Sequence, residues 1–267
     1  MFISFLSDYG SEDEFVGVCH GVIARRCPDA RVIDLDHSIP RHDVLAGALT
    51  LAAAVRYLPP GVVLAVVDPG VGGERRAVAL RSERDGRLFV GPDNGLLTAA
   101  ADRLGAVAEA VDIGSSHERL TPTSNTFHGR DVFAPVAAAL AAGEPLSGLG
   151  EPIGADGLVR LQLPSAELVA GGLLAHVIHR DTFGNLVLDA RPEQLAGLAA
   201  AAGAGVRIEC GGRRHEALPA ASFAEAPEGG LLLYEDSWGL LALAVNRGSA
   251  AQLLGAGPGQ ELLLGTL

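Results

Sequence analysis

The sequence predicts an α/β N-terminal domain with a largely parallel sheet, followed by a smaller all-β, barrel-like C-terminal domain. Three observations carry this. Over residues 1–165, apolar runs of strand length alternate with apolar residues at helical spacing. That alternation builds parallel sheets covered by helices on both faces. Over residues 172–267, short apolar runs are separated by Gly, Pro and Asp clusters, the pattern of an antiparallel barrel or sandwich. Third, the apolar run 62–67 ends on Asp68, and Pro69, Gly70, Gly72, Gly73, Arg75 and Arg76 follow. A buried strand that delivers a carboxylate beside a Gly-rich bend matches where open α/β sheets hold ligands; a surface turn with solvated arginines is the plainer alternative.

The elements follow in order. Residues 2–7 form a strand that delivers Asp8. Residues 15–27 carry Phe15, Val18, Val22 and Ile23 at helical spacing, with His20 packed inside that helix. Residues 32–35 are strand, 44–57 helix with Asp43 as its N-cap, and 62–67 strand. Strands 77–80 and 88–90 flank a turn at 83–87; helix 95–104, strand 107–111 and helix 132–142, with Asp131 at its start, complete the domain. Pro164 and Gly171-Gly172 break the periodicity, which places a linker at 166–171. Strands at 173–178, 186–188, 206–209, 231–234, 240–245 and 262–264 then surround one helix at 193–202.

Composition narrows the function. The 267 residues are 48% hydrophobic, enough for one large or two medium domains with a substantial core. The net charge of −12 argues against nucleic acid as a partner. No apolar run spans a bilayer, and no basic region precedes the first apolar stretch, so a cytoplasmic protein without membrane attachment is expected. Cys19, Cys27 and Cys210 have no metal-ligand spacing, which suits a reducing compartment. All 20 basic residues are arginine. Without lysine, Schiff-base chemistry and the P-loop are excluded. No cofactor is implied.

Polar clusters interrupt the apolar pattern at Ser7-Asp8-Tyr9-Gly10, at Asp68 with Arg75 and Arg76, and at residues 125–131. In the second domain they fall at residues 181–185, 236–239 and 246–249. Asp8 at a strand end suits a vicinal diol, because a carboxylate accepts from two hydroxyls; capping the next helix is the alternative. His128, on a Gly-flanked loop before a helix, is either a catalytic group or a packed histidine. Trp238 lines an aromatic site or seals the barrel. Asn185 and Asn246 each offer a donor and an acceptor.

The motifs Val-Val-Asp-Pro-Gly-Val-Gly, Thr-Phe-His-Gly-Arg-Asp, Asp-x-Phe-Gly-Asn and Asn-Arg-Gly-Ser-Ala occur in order across nearly the whole chain. Together they resemble the S-adenosyl-L-methionine hydroxide adenosyltransferases, relatives of the fluorinase and chlorinase. The resemblance implies a homotrimer with sites between the N-domain of one subunit and the C-domain of the next. It implies hydrolysis of S-adenosyl-L-methionine to adenosine and L-methionine. Asp8 would hold the ribose hydroxyls, and Asp181 would meet the methionine amino group, with Ser237 near its carboxylate. Asn185 and the backbone around Asn246 and Arg247 would meet adenine, and Phe183 would pack on the ligand. Asp68, Arg75 and His128 would serve the water.

Halogenating relatives carry tyrosine where Asp68 stands, and the fluorinase carries serine, threonine and arginine where Gly129, Val71 and Trp238 stand. A carboxylate about 4 Å from a halide costs about 4 kcal/mol at an effective dielectric of about 20, so Asp68 favours water. The rival readings are a halide adenosyltransferase, a metal-dependent phosphoesterase using Asp8, Asp68, His128 and Asp131, and a non-catalytic adenosine or S-adenosylmethionine binder. Ligand spacing of the kind a metal needs is absent from the sequence.

Overall fold

The computed structural model describes residues 1–162, 164–196 and 205–267, which divide into two compact units, Met1–Leu161 and Gln162–Leu267. In the first unit the described strands are β1 (Phe2–Ser7), β2 (Arg31–Asp36), β3 (Gly61–Val66), β4 (Ala77–Ser82), β5 (Leu88–Pro92), β6 (Val107–Asp112) and β7 (Glu151–Ile153). They form one sheet in the order β2-β1-β3-β5-β4-β6-β7. Strands β2, β1, β3 and β5 pair in parallel, and β4 and β7 run against their neighbours. The short β4–β5 connection makes that pair an antiparallel hairpin, as the turn at 83–87 predicts.

Alternate residues of each strand feed opposite cores. Ile3, Phe5, Val62, Leu64 and Val66 pack with α1 (Phe15–Arg26) and α4 (Ala134–Ala142). Leu6, Val63, Ala65 and Val67 pack with α2 (Val44–Ala54) and α3 (Leu96–Asp102). Both faces are covered, so these strands read as continuous apolar runs. Asp43 caps α2 by accepting from Ala46 N at 2.9 Å. Five of the nine residues in α4 are alanine besides its first, and the buried small side chains let the helix lie close to the sheet. His20 departs from expectation. It is partly exposed rather than packed in the core, with its ring nitrogen 2.8 Å from Asp34 Oδ1.

The chain runs from β1 to β2 on one side and returns to β3 on the other. That reversal leaves a crevice beyond the C-terminal ends of β1 and β3, the topological switch point of the sheet. Ser7 lies in register with Val66, so Asp8 and Asp68 emerge from neighbouring strands at that crevice.

The second unit contains β8 (Glu167–Val169), β9 (Gly172–Arg180), β10 (Leu186–Leu188), α5 (Pro192–Ala196), β11 (Val206–Cys210), β12 (Arg213–Pro219), β13 (Leu231–Glu235), β14 (Leu241–Val245), α6 (Ala250–Leu254) and β15 (Glu261–Thr266). Strands β9, β10, β14, β13, β12, β11 and β15 pair in that order, and β15 returns to β9, closing a seven-stranded barrel. Closure removes exposed sheet edges. Leu173, Ala175, Val177, Ile208, Leu231, Leu233, Leu241, Leu243, Leu262 and Leu264 fill the interior. Strand β12 carries no apolar alternation at its start (Arg213, Arg214, His215, Glu216), and hydrophobicity alone does not reveal it. The residues read as a linker contain β8, which pairs with β9. The helix expected at 193–202 is described as far as Ala196; the remainder lies outside the described residues.

The bend after β3 is held by glycine. Gly72 has φ +75°, and a side chain there would collide with the carbonyl oxygen of Asn125 on the loop that carries His128. Gly72→Ala combines left-handed strain of about 1–2 kcal/mol with displacement of that loop. It should lower the midpoint of urea unfolding and reduce turnover together; an unchanged midpoint would show that the loops do not depend on this contact.

Candidate active site

The bend brings Arg75 back onto Asp68. Arg75 Nε donates to Asp68 Oδ1 at 2.8 Å and to Oδ2 at 3.1 Å, and a terminal nitrogen also donates to Oδ2. The pair is buried, with the Asp68 side chain 6% exposed. Arg75 also lies over the ring of the buried Phe133, its guanidinium carbon 5.3 Å from the centroid. A terminal nitrogen of Arg75 donates to His128 Nδ1 at 2.8 Å.

That last bond fixes a tautomer. Guanidinium has donors and no acceptor, so Nδ1 must present its lone pair. The imidazole is neutral and carries its proton on Nε2. Burial pushes the His128 pKa below its ordinary value, and Arg75 adds to the effect; Asp68 opposes it. The site therefore offers a carboxylate acceptor and an N–H donor held through one cation. His128 rides on a single π-helical turn, Gly129–Phe133, which enters α4. Such turns recur at functional sites.

A cavity of about 320 Å³ opens here, bounded by Asp8, Tyr9, Asp68, Val71, Phe127 and His128. Asp8 does not cap α1, whose N-cap is Glu14. Its Oδ2 accepts from His42 N at 2.9 Å, and His42 has the unusual φ of +68°. This leaves Asp8 lone pairs facing the cavity. Arg41 and His42 also line it. Sequence reasoning missed both; His42 acts through its backbone N–H, which leaves no side-chain signature. Arg76 and Asp131 hold the scaffold. Arg76 pairs with Asp93, and the buried Asp131 accepts from Arg130 and from Ser124 N. Among the described residues, no group of three or more His, Cys, Asp or Glu side chains is arranged to hold a metal ion.

In the barrel unit, Asp181 organises a turn. Its Oδ1 accepts from Phe183 N and Asn185 N, both at 2.9 Å, and its Oδ2 accepts from Asn185 Nδ2 at 2.7 Å. Asn185 is buried, whereas Phe183 is 77% exposed. Asn246 Nδ2 donates to Ala226 O at 2.7 Å, so its amide is engaged within the barrel loops. Arg247 is exposed, has φ +58°, and pairs loosely with Glu228. Asp236 Oδ1 accepts from Trp238 N and Leu240 N, shaping the loop that carries the exposed Ser237. Trp238 stacks near His179 at 5.1 Å and is partly exposed.

Residues 3–150 match the SAM hydroxide adenosyltransferase N-terminal domain, and residues 175–263 match the C-terminal domain of the same family. The chain belongs to the SAM hydroxide adenosyltransferase family. An (R)-S-adenosyl-L-methionine hydrolase of Salinispora arenicola is 48% identical over 260 residues, covering 97% of this chain and 96% of that one. A fluorinase of Nocardia brasiliensis is 32% identical over 275 residues, covering 93% and 91%. A crystal structure of an uncharacterized conserved protein from Thermotoga maritima superposes with a TM-score of 0.89 at 36% identity, covering 98% of this chain and 99% of that chain. The hydroxide adenosyltransferase family thus has relatives of both names, and the site groups must decide between them. No described helix is long and apolar enough to cross a membrane.

The lowered pKa of His128 has a signed consequence. The unfolded chain protonates this histidine near pH 6.5, before the folded protein does. Between the two values the unfolded state binds more protons, so stability contributed here falls as pH drops. The stability difference between wild type and His128→Gln, from urea unfolding, should therefore shrink from pH 7.5 to pH 5. A difference constant over that range would mean that His128 is not held neutral.

Proposed function

We propose that this protein hydrolyses S-adenosyl-L-methionine to adenosine and L-methionine, using water or hydroxide as the nucleophile at ribose C5′. The observation that carries the reading is the Asp68–Arg75–His128 array. A fixed, buried anion beside the nucleophile repels halide and accepts a proton from water. The hydrolase name of the 48% identical relative supports the same choice.

The array suits the chemistry. An oxygen lone pair forms the new bond to C5′. The C5′–S bond breaks, and sulfur keeps the electron pair, so neutral methionine leaves without needing a proton. Asp68 Oδ1 accepts one hydrogen bond through Arg75 Nε and retains a lone pair for the proton of the nucleophile. His128 Nε2–H donates to the oxygen and orients it. Arg75 holds both partners and touches no reacting atom. Asp8 takes the ribose diol, which sets C5′ in line with the nucleophile; such alignment is a large part of the barrier.

Recognition of the rest of the substrate is assigned to the barrel unit. Asp181 meets the methionine amino group, Ser237 and Trp238 lie towards its carboxylate end, and Phe183 packs on the ligand. Asn185, Asn246 and Arg247 take the adenine. The exposure of Phe183 supports a surface completed by another molecule. We take that molecule to be a second subunit, in a homotrimer whose sites each combine the two units from neighbouring chains. The (R) sulfonium epimer, which the hydrolase relative's name specifies, is the expected preference.

In ¹⁸O-water, adenosine should carry the label at its 5′ oxygen, and chloride should yield no 5′-chloro-5′-deoxyadenosine. Asp68→Asn should lower kcat by about 100-fold or more, with KM changed less than about twofold. Chlorinated product, or equal loss of binding and turnover, would overturn the assignment. Sedimentation at three times the chain mass tests the trimer, and parallel assays of the two epimers test the preference.

A further inference from the structure

Tyr9 lines the same cavity and has no role in the reaction described so far. Its ring is clamped edge-on by Phe127, with centroids 5.6 Å apart at 82°, and by Phe5 at 6.4 Å and 81°. Phe15 closes a third side at 5.9 Å. A ring held on three sides has little freedom, so the hydroxyl at its tip is fixed in place.

The hydroxyl rests against Gly129, the residue after His128. A Cβ built on Gly129 would overlap Tyr9 Oη and would lie 2.9 Å from Cζ and 3.1 Å from Cε2. Glycine at 129 is thus explained by the phenol, since the oxygen takes the space of the missing side chain. The backbone of Gly129 belongs to the π turn that positions His128. Among the described residues, Tyr9 Oη makes no hydrogen bond to protein. Burial, reinforced by Cys19, Asp8 and Asp68, raises the phenol pKa well above its ordinary value. The group is a permanent O–H donor.

We propose that Tyr9 is a third positioning group for the oxygen nucleophile, donating its O–H to hydroxide beside Asp68 and His128. This rests on the assignment of Asp68 and His128 above. Hydroxide has one proton and three lone pairs. Asp68 accepts a hydrogen bond from that proton, which stays on the oxygen and becomes the 5′-hydroxyl proton of adenosine; His128 Nε2–H and Tyr9 O–H each occupy a lone pair; the third remains for C5′. The donors balance the oxygen's valences with none left over. Water, with two lone pairs, can satisfy only one of the two donors while it attacks. Halide, with no proton, leaves the carboxylate unmatched. The cavity therefore favours hydroxide over halide by hydrogen-bond count. Gly129 belongs to the same device, since any side chain there displaces the phenol.

Tyr9→Phe removes one oxygen and keeps the clamped ring. Compared with wild type, kcat should fall about 10- to 100-fold, while KM for S-adenosyl-L-methionine changes less than about twofold. The acidic limb of the kcat–pH profile should move to higher pH, because hydroxide has lost a donor. Melting temperature should change little. Gly129→Ala, which pushes the phenol aside, should reproduce the kcat loss in the Tyr9 background. Unchanged kcat in Tyr9→Phe, or a kcat loss with no movement of the acidic limb, overturns the proposal. Asp68→Asn run in parallel separates the two readings. If it keeps full kcat, the underlying site assignment fails; if it loses kcat and Tyr9→Phe does not, only the role of Tyr9 fails.

Discussion

The site depends on one property of arginine: its guanidinium donates and cannot accept. Placed between Asp68 and His128, Arg75 donates to the carboxylate of the first and forces the second to present Nδ1 as an acceptor. The imidazole proton is thereby committed to Nε2. A lysine in its place would have a point charge and no planar fork, and it would set neither geometry nor tautomer as tightly. Phe133 beneath the guanidinium and the glycine-bent loop above it hold this hub in position.

The hub is useful because of where the sheet puts it. Reversal of strand order between β1 and β3 opens a crevice at their C-terminal ends. Asp8 and Asp68 leave adjacent strands there, and the π turn of His128 and Gly129 closes from α4. One carboxylate is engaged by arginine and the other by a single backbone N–H from His42. Identical side chains thus acquire different surroundings: Asp68 is bound to a cation, and Asp8 keeps lone pairs towards the cavity.

The barrel unit follows another logic. Its polar residues first build their own loops: Asp181 gathers two backbone amides and the Asn185 side chain, Asp236 gathers two more amides, and Asn246 ties down Ala226. Groups tethered in this way present a rigid edge to a ligand, and rigidity lowers the entropy lost on binding. Phe183 is the exception, held out into solvent by a turn built to hold it there.

Much of this was legible in the residues themselves. Apolar runs bounded by Asp, Gly and Pro located β1, β3 and most of the barrel strands, since burial on both faces leaves a continuous hydrophobic signature. Ordered motifs named Asp68, Arg75 and His128, and the carboxylate at 68 already favoured water over halide by charge. Strand β12 was invisible because Arg213, Arg214 and Glu216 are exposed in a strand whose pairing supplies what hydrophobicity does not. His20 was misread because helical spacing does not say which face meets water. What only the tertiary structure decided was relation: the tautomer of His128, the bond from His42 N to Asp8, and the fit of the Tyr9 hydroxyl against Gly129. Periodicity is a property of neighbours along the chain and survives in one dimension. A hydrogen bond across 53 positions, or an oxygen seated where a side chain is missing, exists only after the strands and loops have been brought together.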